Sequence, residues 1–132
     1  MTFTAEELRY LAGQRLGRLA TLAADGTLQN NPVGFTVHEA EGYIEIGGYD
    51  MGKSRKFLNI QKNPEVSLVI DDIASLDPWE VRGIEIRGRA EPVTGIERGP
   101  SESYLSAEAI RIHPRRIRSW NLEGSSSARW LP

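Results

Sequence analysis

The sequence predicts a mainly β protein, a small antiparallel barrel with a few short helices, and three observations lead there. Between Leu16 and Trp120 most of the chain falls into short stretches in which apolar and polar residues alternate, the period of a half-buried strand. Turn-forming residues separate these stretches at close intervals, as at Asp25-Gly26, Gly42, Gly47-Gly48 and Asn63-Pro64. Helical signals are confined to two short segments, too few for a parallel α/β fold.

The first helix is announced by Thr4-Ala5-Glu6-Glu7, in which Thr4 and Glu7 can satisfy each other's free backbone donors. It spans about Ala5 to Ala12, with Gly13 as its stop. Leu16 to Ala23 alternates as a strand, and Asp25-Gly26 supplies a hairpin turn. Leu28 to Val37 reads as the return strand, with Pro32 marking an edge, a bulge or a bend. Tyr43 to Ile46 is a strand ended by Gly47-Gly48, and Lys53 to Lys62 is a helix closed by Asn63-Pro64. Val66 to Ile70 and the long alternating run from Val81 to Val93 follow. Ile110 to His113 and Ile117 to Trp120, parted by Pro114, complete the set. Residues 1–123 form the domain by this reading, and 124–132, with Gly124-Ser125-Ser126-Ser127, a mobile tail.

Composition narrows the function classes. A chain of 132 residues is one domain's worth. It has no cysteine, so no disulfide, thiolate nucleophile or thiolate metal site is available. A formal charge of −2 argues against a domain that coats nucleic acid. No apolar run approaches the roughly 20 residues of a membrane helix, and the N-terminus lacks a basic-then-apolar leader. The expectation is a cytoplasmic protein with no nucleic-acid or membrane partner. His38 and His113 are too isolated to build a metal site, and no nucleophile-elbow motif is present.

Local charge is more informative than the total. In Gly47-Gly48-Tyr49-Asp50-Met51-Gly52-Lys53-Ser54-Arg55-Lys56, Ser54 is a good N-cap and places Arg55 and Lys56 in the first helical turn. A helix start already carries partial positive charge, and cations there cost roughly 0.3–1 kcal/mol each. Three cations cluster here with no acid between Lys53 and Asn63. One account is a solvated basic face. The other is a phosphate site, in which backbone donors, a hydroxyl, a guanidinium and ammoniums converge after a glycine-rich turn. The spacing is neither that of a P-loop nor that of a dinucleotide fingerprint.

Taken together, Ser54-Arg55-Lys56, Asn63-Pro64-Glu65-Val66-Ser67-Leu68 and Pro114-Arg115-Arg116-Ile117-Arg118-Ser119-Trp120 resemble the pyridoxamine-phosphate-oxidase-like split-barrel family. The match is closer to an actinobacterial branch that includes the oxytetracycline-biosynthesis reductase. It rests on Gly17 to Thr21, Pro32 to Phe35, Ile46 to Met51, Asp77 to Trp79 and Ile110 to Ile117. The resemblance implies an FMN-binding-like split barrel and a homodimer with two interfacial cofactor sites. It also implies the deazaflavin coenzyme F420 as cofactor, passing hydride to an unsaturated organic small molecule. FMN is the alternative cofactor within the same fold, and a non-catalytic carrier of F420 or haem is the alternative of another class. The family's flavin-phosphate arginine is replaced by Asn31, and its substrate-phosphate lysine near Thr36 is absent, which speaks against pyridoxamine phosphate oxidation itself.

The candidate cofactor contacts are therefore Asn31, Pro32, Val33, Gly34, Gly47, Gly48, Lys53, Ser54, Arg55, Lys56, Trp79 and Trp120. Pro32 and Gly34 would let a flat ring lie against backbone, unless the segment is merely a bent edge. Gly47 and Gly48 suit either close approach or a plain turn. Trp79 suits a dimer contact near the partner's cofactor, and Trp120 suits ring stacking or core. No side chain stands out as an obligatory acid or base, which fits a reaction carried by a cofactor. The pocket walls, and with them the substrate, would come from loops such as Ile73 to Trp79 and Gly95 to Ala107.

Overall fold

A computed structural model describes all 132 residues. Helix α1 (Ala5–Ala12) begins as its sequence dictates. The Thr4 N–H donates to Glu7 Oε1 at 2.9 Å, and the Glu7 N–H donates to Thr4 Oγ1 at 3.2 Å. Tyr10 and Leu11 are buried from this helix, so its apolar face is packed onto the sheet.

Eight strands follow: β1 (Leu16–Leu22), β2 (Leu28–Gly34), β3 (Thr36–His38), β4 (Tyr43–Ile46), β5 (Glu65–Leu76), β6 (Trp79–Val93), β7 (Ala109–Leu122) and β8 (Ser125–Trp130). They pair in the order β2-β1-β5-β6-β7-β4-β3, with β8 added to β7, and every pairing is antiparallel. β2 and β3 lie at opposite ends of this path, yet only Phe35 separates them in sequence. Consecutive Cα atoms are about 3.8 Å apart, so the sheet has to curl until its two ends meet. The result is a barrel whose end strands are joined through Phe35 but not hydrogen-bonded to each other, a split seam. Its interior holds the inward residues of the alternating strands, among them Leu19, Ile44, Ile46, Leu68, Ile70, Ile84, Ile86, Ile110, Ile112 and Ile117. Helix α2 (Arg55–Lys62) connects β4 to β5 and adds Phe57 and Ile60 to the core.

Several elements differ from the sequence reading, each for a definable reason. Leu28–Val37 is two strands, because the chain leaves one end of the sheet and joins the other at Phe35. Helix α2 starts at Arg55, and Lys53 belongs to a preceding 3₁₀ turn, Met51–Lys53. Strands β5 and β6 run on to Leu76 and Trp79 as one long hairpin, so most of the expected Ile73–Trp79 loop is ladder. Pro114 does not divide the late strand. The register between β6 and β7 shifts so that Arg87 faces Arg116 and Gly88 faces Pro114, leaving Arg115 as an extra residue. A bulge of this kind accommodates the missing proline N–H. A Cβ at Gly88 would run into the His113 carbonyl, so the close approach there requires glycine. Residues 125–130, expected as part of a mobile tail, form β8 against β7. No helix is long and apolar enough to cross a membrane.

Candidate functional site

The start of α2 is built by Ser54. Its Oγ accepts from the Phe57 N–H at 3.3 Å and donates to the Met51 carbonyl at 2.7 Å, tying the helix to the 3₁₀ turn before it. The Arg55 and Lys56 amides are among the first-turn donors that a helix leaves without an internal acceptor. Lys53 and Arg55 are exposed and Lys56 is half-buried. None of these three cations forms an ion pair. Burial alone draws the Lys56 ammonium below the usual lysine pKa. A cation that is desolvated without a carboxylate beside it is stabilised by an arriving anion.

Helix α2 is held to the β1–β2 hairpin by a polar cluster that sequence reading did not find. The buried Asn59 donates through Nδ2 to Thr21 Oγ1 at 3.0 Å and to Gln29 Oε1 at 3.3 Å. Gln29, Asn31 and Val33 share the inward face of β2, while Pro32 and Gly34 point outward. The four ring-contact candidates thus divide between two faces of one strand. The Asn31 carboxamide oxygen is buried and has no hydrogen-bond partner, a cost that a ligand N–H would remove.

At the seam lies a cavity of about 420 Å³. Gly34, Phe35, Thr36, Glu45, Gly47 and Gly48 line it, and the exposed Tyr49 and Tyr104, with Leu105, stand at its rim. Gly34, Gly47 and Gly48 are therefore brought together: Gly34 ends β2, and the pairing of Thr36 with Glu45 sets the segments that follow β2 and β4 side by side. Glu45 is fixed by the Arg111 guanidinium, Nε to Oε1 at 3.0 Å, with Arg98 Nη1 at 3.7 Å from Oε2. The bond to Glu45 is the main cause that raises the Arg111 pKa. The segment from Gly95 to Ala107, which reads from the sequence as a loop or short helix, folds with the adjoining Glu108 down over the glycine turn. The Ser106 N–H donates to the Gly48 carbonyl at 2.8 Å, the Met51 N–H to Ser106 Oγ at 3.0 Å, and the Gly52 N–H to Glu108 Oε1 at 3.0 Å. The cavity and the basic helix start are therefore joined by one anchored stretch, residues 48 to 53.

Trp79 and Trp120 lie elsewhere in the chain. On β7, Ile110 pairs with Ile46 beside the glycine turn, whereas Trp120 pairs with Gly83. Ten residues of strand separate them, about 30 Å along an extended chain. Trp120 is half-buried with the Arg118 guanidinium 5.0 Å above its ring. Trp79 ends the β5–β6 hairpin, where Ile73 pairs with Val81 and Leu76 with Trp79. All four side chains are exposed, Leu76 at 74% and Trp79 at 63%. Contiguous exposed apolar surface of this kind marks a contact site.

Phe35, Glu45, Tyr49, Tyr104 and Glu108 were not singled out from the sequence. Their signal is tertiary: each becomes part of the site only when the sheet curls and the 95–108 segment docks.

Comparison with known proteins matches this architecture. Over 129 residues the chain is 49% identical to the 5a,11a-dehydrotetracycline/5a,11a-dehydrooxytetracycline reductase of Streptomyces rimosus, covering 96% of this chain and 89% of that one. Among solved structures it resembles a heme-binding protein from Mycobacterium smegmatis (TM-score 0.68, 19% identity, 96% of this chain and 57% of that one). It also resembles an FAD-binding protein from Mesorhizobium loti (TM-score 0.65, 19% identity, 90% and 94% covered). These two likenesses establish a shared fold. The sequence pattern of the family described as pyridoxamine 5'-phosphate oxidase extends over residues 3–121, and the chain belongs to that family.

Proposed function

We propose that this protein is a reductase that binds coenzyme F420 between two copies of the chain and reduces a carbon–carbon double bond in a conjugated organic substrate. The observation that carries the reading is the half-buried, unpaired Lys56 beside Arg55 at the start of α2, a short anchored stretch from the seam cavity. The reductase at 49% identity supplies the class of chemistry, oxidoreduction of an unsaturated polycycle.

The residues present fit such a cofactor. Arg55, Lys56 and Lys53 balance phosphate charge, and Ser54 fixes the helix whose free amides face it. The unpartnered carboxamide of Asn31 matches an N–H on the polar edge of a ring. Gly34, Gly47 and Gly48 leave backbone open to a flat surface. When bound, reduced F420 supplies a hydride; the chain supplies position, charge and exclusion of water. Phe35 and Leu105 wall the cavity against solvent, and Glu45, clamped by two arginines, keeps a fixed negative charge at one side of it.

Trp79 and Trp120 do not line this cavity in their own chain. In a twofold dimer, the apolar hairpin end at Ile73, Leu76, Trp79 and Val81 is covered, and the partner subunit's Trp79 and Trp120 reach toward the site. Isologous contact is the commonest way for a small domain to cover such a patch.

Titration of the purified protein with F420 and, separately, with FMN tests the cofactor. Tighter binding of F420 is expected. Micromolar FMN affinity with no F420 binding would replace this reading by an FMN-dependent enzyme of the same fold.

A further inference from the structure

Two aromatic rings stand at the cavity rim that neither the core nor the phosphate site uses. Tyr49 is 81% exposed and Tyr104 58%, and their ring centroids lie 5.9 Å apart at an interplanar angle of 57°. Both line the cavity, as do Gln14 and Arg15. Large aromatic surface left open to water is unfavourable unless something covers it, and tyrosine offers wide contact at little entropic loss because it has few rotamers.

The pair is held in place rather than loosely displayed. Tyr49 lies between Gly48, whose carbonyl accepts from the Ser106 N–H, and Met51, whose N–H donates to Ser106 Oγ. Tyr104 precedes Ser106 by two residues, and Arg98 Nε fixes the Ser106 carbonyl at 3.0 Å. The same serine thus fastens the segments that carry both rings. Arg15, which lines the same cavity, is exposed and forms no ion pair, so a free guanidinium donor joins the aromatic lining.

We propose that Tyr49 and Tyr104 are the specificity-determining residues of the cavity, packing against a planar, multi-ring, oxygen-bearing substrate whose polar edge faces Arg15. This rests on the reading of the seam cavity as a reductase site and adds the residues that choose the substrate. A cavity of about 420 Å³ lies in the range of small-molecule sites, roughly 300–1,000 Å³, and its aromatic side is suited to fused rings rather than to a short aliphatic chain.

Tetracycline is the probe, since its intrinsic fluorescence reports binding without turnover. The parent, Y49A, Y104A, the double alanine variant, Y49F and Y104F would be titrated with it in the absence and presence of F420, and F420 affinity measured separately. Each alanine substitution is expected to weaken tetracycline binding by about 3- to 10-fold, the range of an aromatic pair, with the phenylalanine variants near the parent. Melting temperature is expected to stay unchanged because both rings are exposed, and cofactor affinity to change much less than tetracycline binding because neither ring belongs to the phosphate-binding helix start. With a reducible polycycle, the alanine variants should raise KM far more than they lower kcat. Alanine variants that bind tetracycline like the parent would overturn the proposal, and so would equal losses of tetracycline and cofactor. Alanine-sensitive tetracycline binding in a protein that binds no F420 would uphold the rim and remove the cofactor reading, so the two failures are distinct.

Discussion

Arg129 of β8 and Glu7 of α1 join the two ends of the chain. Arg129 Nη1 donates to Glu7 Oε2 at 2.6 Å, Nη2 donates to Oε1 at 2.7 Å, and Nη2 also reaches the Thr2 carbonyl at 2.7 Å. Glu7 is 1% exposed and serves at once as the capping-box acid and the acceptor of this guanidinium. Losing one partner of a buried pair leaves the other charge uncompensated, at a cost of about 3–5 kcal/mol. Arg129→Ala is therefore expected to lower unfolding free energy by about 3 kcal/mol in urea titrations, whereas truncation of a floppy tail would leave it unchanged.

The basic helix start makes a prediction in which binding and stability part company. Arg55→Ala should weaken cofactor binding by about 1.5–3 kcal/mol, the range for a hydrogen bond to a charged group. Melting temperature should hold or rise slightly, since a cation leaves the positive end of a helix. Arg89→Ala, at an exposed position of β6, is the control. Calorimetric titration that finds both variants indistinguishable would mark the cluster as a solvated basic face.

Asn31 allows a sharper separation. Its side-chain oxygen is buried without a partner, so removing it relieves a desolvation penalty rather than breaking a bond. Asn31→Ala should fold with equal or greater stability while losing about 2- to 12-fold in cofactor affinity, equivalent to about 0.5–1.5 kcal/mol. A variant that is less stable and binds as before would assign Asn31 to the scaffold.

Acid stability turns on Asp72. Bonds from Arg82, with further bonds from Tyr10 and Gln14, pull its carboxyl down to about 2, against a usual value of about 3.9. Because the folded pKa is depressed, this stabilisation is complete above the ordinary carboxylate range and is lost as pH falls from about 4 through 2. The stability difference between the parent and Asp72→Asn should be constant from pH 7 to 5 and shrink between pH 4 and 2 in urea melts. A difference that does not vary with pH would show that packing, not charge, is what Asp72 contributes.

The exposed hairpin end predicts the assembly. Light scattering at micromolar concentration should return about twice the 14.7 kDa chain mass. Leu76→Asp, which places a charge among Ile73, Trp79 and Val81, should shift the protein to monomer without unfolding it. A parent that is a monomer yet binds cofactor would exclude the intersubunit site.

How much of this was written locally depends on the element. The capping box at Thr4 and Glu7, the β1–β2 turn and the cap at Ser54 are decided within a few residues, and all three lie where the sequence puts them. The break at Phe35 has no local mark, because the residues on both sides favour extended backbone; only the pairing of β3 with β4 reveals it. The same holds for β8, whose Ser125-Ser126-Ser127 carries no strand propensity and becomes ordered only through the ladder that β7 offers. Of the site, the cation cluster was legible as a conflict with the helix dipole. Glu45, Tyr104 and Glu108 were not, since their partners are distant in sequence.

The single residue between β2 and β3 has a consequence for how such a barrel can diversify. Inserting or deleting a residue inside a paired strand displaces every partner beyond it, and an odd step turns core side chains outward. Phe35 sits where no neighbouring strand keeps count, because β2 and β3 belong to opposite ends of the sheet. Chain length can change there without disturbing any register, and the change falls on the wall of the cavity. The mouth of the site can thus be widened or narrowed independently of the scaffold that holds it.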